Sequence, residues 1–194
     1  MLKFAIVGNI ASGKSTVENF LIEKGFKVFD TDKLSHKILE EFSNKIIEEF
    51  KEFDILEENK ISRKKLGNLV FQNKNLKTKL ENIIYPKLKE KLLEIFEENK
   101  EEKFIFISIP LLFEVDWQDL FDKILFVETN DDIRLQRLME RNSFTKKEAL
   151  ERISAQIPQE NKIKMSDFII CNNGTRKELQ NQLESFIIRL EEME

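Results

Sequence analysis

Cysteine is almost missing from this chain: Cys171 is the only one in 194 residues. No disulfide can form within the chain, so neither a disulfide framework nor an oxidising compartment is indicated, and one thiol offers no metal-ligand set. Glycine and proline are scarce too, at 5 and 3. No flexible or proline-rich linker marks off a second independent domain, and the chain is read as one folding unit. Long apolar runs are lacking as well. The longest, 104–113, is interrupted by Ser108 and Pro110 and falls far short of the ~20 residues that span a bilayer, so no membrane partner is expected. The start, Met1-Leu2-Lys3-Phe4-Ala5-Ile6-Val7-Gly8, has neither the charged region nor the cleavage site of a signal peptide, and a cytoplasmic protein is expected. Nor is there an excess of positive charge, since 32 Lys plus Arg against 36 Asp plus Glu give a formal net charge of −4. An acidic chain without an aromatic and basic stacking platform is a poor binder of phosphate backbones, so no nucleic-acid partner is expected.

What is present suits a globular α/β fold. A hydrophobic fraction of 41% can supply a core, and a chain of this size buries roughly 70% of the surface its extended form exposes. Five apolar runs, at 2–7, 26–29, 104–109, 123–127 and 168–171, are rich in Ile, Val and Phe. They mostly lack strict alternation, which predicts strands buried on both faces of a parallel sheet. Helix-patterned segments separate them. Between the second and third runs lie about 74 residues, helical in pattern over 32–51, 62–71 and 75–100, which is longer than one crossover needs and predicts an inserted helical subdomain. Later, 131–141 and 146–156 read as two helices joined by a short polar turn. The segment 175–192 reads as an amphipathic helix with Leu179, Leu183, Phe186, Ile187 and Leu190 on one side.

The strongest local signal is Gly8-Asn9-Ile10-Ala11-Ser12-Gly13-Lys14-Ser15. It matches G-x-x-x-x-G-K-[ST] and lies after a strand run and before the helical 16–24. Such a loop turns backbone N–H groups toward an anion, and the following helix adds the positive end of its dipole. Lys14 then reaches the β and γ phosphates of a nucleoside triphosphate, and the Ser15 hydroxyl can ligate Mg²⁺. A guanine-specific N-K-x-D motif is missing, which ranks a GTPase low. Asp30-Thr31-Asp32 follows the second strand run. Two carboxylates two residues apart share a face if the strand continues that far, at the sheet end where ligands bind. Asp30, Thr31 or Asp32 could instead cap the next helix. Arg137 and Arg141 share a helix face and suit transferring phosphates under a closing lid, although an exposed basic helix paired with Glu140, Glu148 and Glu151 fits the same residues.

Together, the loop, Asp30-x-Asp32, Arg63-x-x-Leu66-Gly67-x-x-Val70-Phe71, Ile84-x-Pro86, Pro110-Leu111-Leu112-Phe113-Glu114, Arg137-Leu138-Met139-x-Arg141, Arg152-x-x-x-Gln156, and Asp167 with Ile169, Asn172 and Gly174 resemble the dephospho-CoA kinase family. The motifs after the loop are each short, but the ordered set is specific and covers nearly the whole chain. The resemblance implies ATP-dependent phosphorylation of the ribose 3′-hydroxyl of dephospho-coenzyme A to coenzyme A and ADP, the final step of coenzyme A biosynthesis. It implies a P-loop kinase core of five parallel strands in order 2-3-1-4-5, at 1–31, 103–133 and 165–194. A helical CoA-binding insert would occupy about 32–102 and a lid about 134–164. Carried over, Gly8, Asn9, Ile10, Ala11, Ser12, Gly13, Lys14, Ser15 and Thr16 hold ATP phosphates, Asn172 and Gly174 approach the adenine, and Ser15 serves Mg²⁺. Asp32 is the catalytic base, with Lys14, Arg137 and Arg141 on the phosphates. Asp32, His36, Arg63 and Pro86 face dephospho-CoA, and a monomer or weak homo-oligomer is expected.

Some positions depart from the family pattern. Asn9 and Ala11 replace usual glycines, and phosphate binding is expected to survive with a negative φ at Ala11. Tyr85 stands in place of a histidine, and Ser108 in place of an aspartate that many members carry, so no catalytic role goes to either. His36 fits a surface or cap histidine equally well, and Trp117 and Cys171 read as core residues. Two rival readings are another P-loop kinase acting on a nucleoside, nucleotide or sugar, and a nucleotide-binding regulatory protein, against which the long insert and arginine-rich lid argue. Between Arg134 and Lys164 there are eight Lys or Arg and four Glu, so an acidic chain concentrates positive charge in the expected lid.

Overall fold

A strand buries every side chain only when both faces of its sheet are covered. In β1 (Leu2–Val7), Phe4, Ala5, Ile6 and Val7 have no exposed surface. The computed structural model describes residues 1–192; Met193 and Glu194, the last two of the expected core, lie outside the described residues. After β1 come α1 (Lys14–Glu23), β2 (Lys27–Asp30), α2 (Thr31–Glu41), α3 (Ser43–Glu49), β3 (Leu56–Glu57), β4 (Lys60–Ile61), α4 (Arg63–Gln72) and α5 (Lys74–Glu98). Then follow β5 (Phe104–Ser108), a 3-10 turn at Gln118–Leu120, β6 (Lys123–Glu128), α6 (Asp131–Asn142), α7 (Lys146–Ser154), α8 (Gln159–Lys164), β7 (Phe168–Cys171) and α9 (Arg176–Glu191).

The main sheet has the order β2-β5-β1-β6-β7, which is 2-3-1-4-5 when only its own five strands are counted. β1 is central, pairing in parallel with β5 (Ala5 opposite Ile107) and with β6 (Ala5 opposite Ile124), and β6 pairs in parallel with β7. On one face Phe4 and Ile6 pack with Val17 and Leu21 of α1 and with Leu179, Leu183, Phe186 and Leu190 of α9. Phenylalanines dominate this layer: the Phe4 ring lies 5.0 Å from Phe106, and Phe168 lies 5.2 Å from Phe186. On the other face Ala5, Val7, Ile124 and Phe126 pack with Ile109, Leu112 and Phe113. Trp117 packs against that second layer half-buried, and Cys171 is half-buried as well.

The chain divides into two compact units, Met1–Phe29 together with the chain from Glu101 onward, and Asp30–Lys100. In the second, α5 packs against α2 and against α4. α5 runs through Pro86 without ending, although proline cannot donate to the Asn82 carbonyl. Three details differ from the sequence expectation. The single helical segment 32–51 is two helices that part at Phe42 (φ −98°, ψ 17°). An antiparallel ribbon, β3 with β4, turns through Glu58 and Asn59, both at positive φ; without a glycine, that pair carries no hairpin signature. α8 is six residues long, too short to show a period. Among the described residues, no helix is long and apolar enough to cross a membrane.

Candidate active site

Strand order reverses around β1, and the crevice at the carboxyl ends of strands is where open α/β sheets bind ligands. The glycine-lysine loop leaves β1 at that end, and three further strands deliver residues to it. Thr129, just after β6, donates its hydroxyl to the Ser12 carbonyl at 2.8 Å, and Asn172, just after β7, donates its side-chain amide to the same oxygen at 2.8 Å. Ser108, the last residue of β5, meets Lys14 Nζ through its hydroxyl. Gly13 opens α1 at φ +86°, and a Cβ there would collide with the Asn172 amide. No side chain caps α1, and the leading N–H groups of a helix without a cap suit an anion, although the Thr16 N–H already donates to the Gly13 carbonyl at 2.9 Å. Ser15 and Thr16 are exposed on that turn.

Two features of the loop correct or extend the sequence expectation. Ala11 adopts φ +63° rather than a negative value. This is the left-handed helical basin, which an L-residue reaches at a cost of about 1–2 kcal/mol, so the missing glycine leaves strain in the loop and does not block its shape. Lys14 Nζ donates to Glu18 Oε1 at 2.8 Å as well as to Ser108, and the Ser108 hydroxyl donates to the same Glu18 oxygen at 2.5 Å. Glu18 is buried at 8% exposure. Sequence reasoning missed it, although its spacing of four from Lys14 on a helix was the available signal.

A cleft of about 910 Å³ opens beside the loop, lined among others by Gly13, Thr16, Arg137, Asn172 and Gly174. Arg137, half-buried on α6, donates Nη2 to the Asn172 carbonyl at 3.3 Å. Arg141 is exposed one turn later, its Nε donating to Asn142 Oδ1 at 2.9 Å. Of the two arginines, only Arg137 lines the cleft. The segment after α7 is fastened to the loop: Ile10 N–H donates to Gln156 Oε1 at 2.7 Å, and Asn9 Nδ2 donates to the Ile157 carbonyl at 3.0 Å. Asn9, where the family pattern suggests glycine, thus ties the loop to this segment through its side chain. Behind it Glu114 Oε1 accepts from Lys162 Nζ at 2.6 Å and from Ile157 N–H at 3.3 Å. Lys162 has no exposed side chain, and burial pushes its ammonium pKa down while Glu114 opposes the shift. Arg134 is also buried, bound to Asp131 at 2.6 Å.

The second unit holds Asp32, His36, Arg63 and Pro86. β2 stops at Asp30, whose side chain caps α2 by accepting the Asp32 N–H at 2.9 Å. The shared strand face expected for Asp30 and Asp32 is therefore corrected: a helix starts between them, and Asp32 stands exposed in its first turn. His36, four residues on, shares that helix face. Its Nδ1 lies 3.0 Å from Nη1 of Arg63, the first residue of α4. Pro86 is exposed midway along α5.

Comparison with known proteins covers both units. The family model CoaE, dephospho-CoA kinase, matches residues 2–178. The dephospho-CoA kinase of Listeria innocua serovar 6a is 39% identical over 189 residues, 95% of this chain and 94% of that protein. Among solved structures, TT1252 from Thermus thermophilus has a TM-score of 0.86 at 31% identity, covering 97% of each chain. Dephospho-CoA kinase from Campylobacter jejuni has a TM-score of 0.76 at 34% identity, covering 97% of this chain and 96% of that one. A match of this extent leaves neither the phosphate loop nor the helical unit unaccounted for, and the chain belongs to the dephospho-CoA kinase family.

Proposed function

We propose that this protein transfers the γ-phosphoryl group of ATP to the ribose 3′-hydroxyl of dephospho-coenzyme A, giving coenzyme A and ADP in the last step of coenzyme A biosynthesis. The observation that carries this reading is a phosphate loop at the carboxyl ends of four sheet strands, in a chain that matches the family along residues 2–178. The loop from Gly8 to Thr16 cradles the phosphates through its N–H groups and the α1 dipole, and Lys14 leaves its resting partners to neutralise charge on the β and γ phosphates. Arg137, with the Asn172 to Gly174 turn, lines the cleft next to the loop that suits the adenosine portion.

Asp32 orients the 3′-hydroxyl and takes its proton, so the acceptor oxygen attacks in line and no covalent enzyme intermediate forms. His36 and Arg63, joined by their contact, and the Pro86 region belong to the dephospho-CoA side. The site's donor set fits Mg²⁺: the Ser15 hydroxyl is exposed beside Lys14, and Mg²⁺ bound with ATP would neutralise charge between the β and γ phosphates. In this reading the segment 32–102 is the CoA-binding insert, 134–164 is a lid to which Arg141 contributes on closure, and the protein acts in the cytoplasm as a monomer or weak homo-oligomer.

The test is ADP formation by purified protein with ATP, Mg²⁺ and dephospho-CoA, run against pantetheine-phosphate and adenosine. Saturable activity is expected with dephospho-CoA alone, with a product heavier by one phosphoryl group. Equal activity with another acceptor would overturn the assignment in favour of a different small-molecule kinase.

A further inference from the structure

Glu18 is a carboxylate where a carboxylate opposes binding. It sits one helical turn beyond Lys14 on the helix whose N-terminus receives a polyanion, and it is 8% exposed, so solvent screens its charge poorly. An acid in such a position weakens anion affinity unless it acts on a cation. Two cations belong to this site in the reading above, Lys14 and Mg²⁺. Lys14 accounts for one oxygen only: the contacts of Glu18 with Lys14 and Ser108 both run through Oε1, and among the described residues Oε2 makes no hydrogen bond. Lys14 must also leave Glu18 to reach the phosphates, which would strand a buried charge. The nearest polar group on the neighbouring strand end, the Ser108 hydroxyl, is neutral and donates to Glu18.

We propose that Glu18 is the metal-directed acid of this phosphoryl-transfer site. It holds Lys14 while the loop is empty and turns its charge to Mg²⁺ when ATP draws Lys14 away. The negative charge then comes from α1, and the end of β5 contributes a hydroxyl that orients it. This inference rests on the Mg²⁺-ATP reading.

Its test is a binding measurement without turnover. A non-hydrolysable ATP analogue is titrated by calorimetry with Mg²⁺ and with a chelator, and Mn²⁺ bound beside the analogue is counted by electron paramagnetic resonance. Glu18→Gln is expected to weaken Mn²⁺ binding about tenfold, as loss of an outer metal partner does, while the metal-free analogue binds as well as before or better. Those opposite signs separate a metal role from support of the fold, which would weaken both. Adding Ser108→Asp to Glu18→Gln should restore metal binding by returning the charge from the strand end. Where Glu18→Gln does not fold, Glu18→Asp carries the test, with a shorter reach and an intermediate metal affinity. Equal weakening with and without metal, or no change in either, overturns the proposal. If wild-type protein binds the analogue identically in Mg²⁺ and in chelator, the Mg²⁺ reading falls and this proposal with it. A metal-dependent wild type with an unaltered Glu18→Gln defeats the Glu18 assignment alone.

Discussion

The two compact units hold their candidate residues in contrasting ways. In the first, the site is tied together by its own side chains: Lys14 to Glu18 and Ser108, the Ser12 carbonyl to Thr129 and Asn172, and Ile10 to Gln156. In the second, Asp32, His36 and Arg63 are exposed side chains on helices, and His36 and Arg63 are in contact. Phosphates carry fixed, dense charge and reward a preorganised cradle. A flexible acceptor is better met by projecting side chains, with the substrate completing the geometry as it binds.

The largest effect should come from the second unit. Asp32→Asn is expected to lower turnover by about 10²–10⁴-fold, the usual contribution of a general base, with nucleotide affinity unchanged by calorimetry. Near-normal turnover would break the comparison, because an exposed helix residue would then have no catalytic share. Lys14→Ala should lower kcat/KM by about 10²–10³-fold, as loss of one preorganised charge donor does, and, unlike Asp32→Asn, it should also weaken ATP binding. The Lys162–Glu114 pair behind the loop sharpens the contrast between a movable lysine and a structural one. Lys162→Met leaves the half-buried Glu114 without its cation while the Ile157 N–H still donates to it, at a cost of about 1–3 kcal/mol in urea unfolding. Adding Glu114→Gln should return part of that loss, and a fully additive cycle would mean that the pair does not act as a unit.

Ala11→Gly should relieve about 1 kcal/mol of left-handed strain, raising the melting temperature by roughly 2–4 °C for a chain of this size. The smallest effect is local and depends on pH. At the start of α9, the Thr175 backbone N–H and then its hydroxyl hold the Glu178 carboxyl below its ordinary value of 4.5. A depressed acid stabilises the folded state above that ordinary value, and the contribution disappears as pH falls through the lowered one. The protection factor of the Thr175 amide, its exchange rate relative to the intrinsic rate at the same pH, should therefore fall in acid before the rest of α9 opens.

The first unit was legible in the sequence because its signals are short-range and physical. Leu2–Val7 and Phe168–Cys171 match their apolar runs end to end, and the loop motif encodes its own geometry in eight residues. Its hidden part is non-local. Nothing in the sequence joins Asn9 to Ile157, or Glu114 to Lys162, until the fold brings them together. The second unit yielded its helices through their period, but its turns escaped notice: Glu58 and Asn59 reverse the chain without glycine, and Phe42 parts two helices without proline. At Asp30 and Asp32 a strand-face argument met a helix start, and the first carboxylate went to capping.

The contacts of the loop with Gln156 and Ile157 lie 146 and 148 residues away along the chain. During vector synthesis the glycine-lysine segment emerges early, yet it stays unclamped until the chain past Asn172 has left the ribosome, because its tethers and the partners of β1 arrive late. A nascent chain halted at the helical insert therefore lacks the side chains that tie the loop in place.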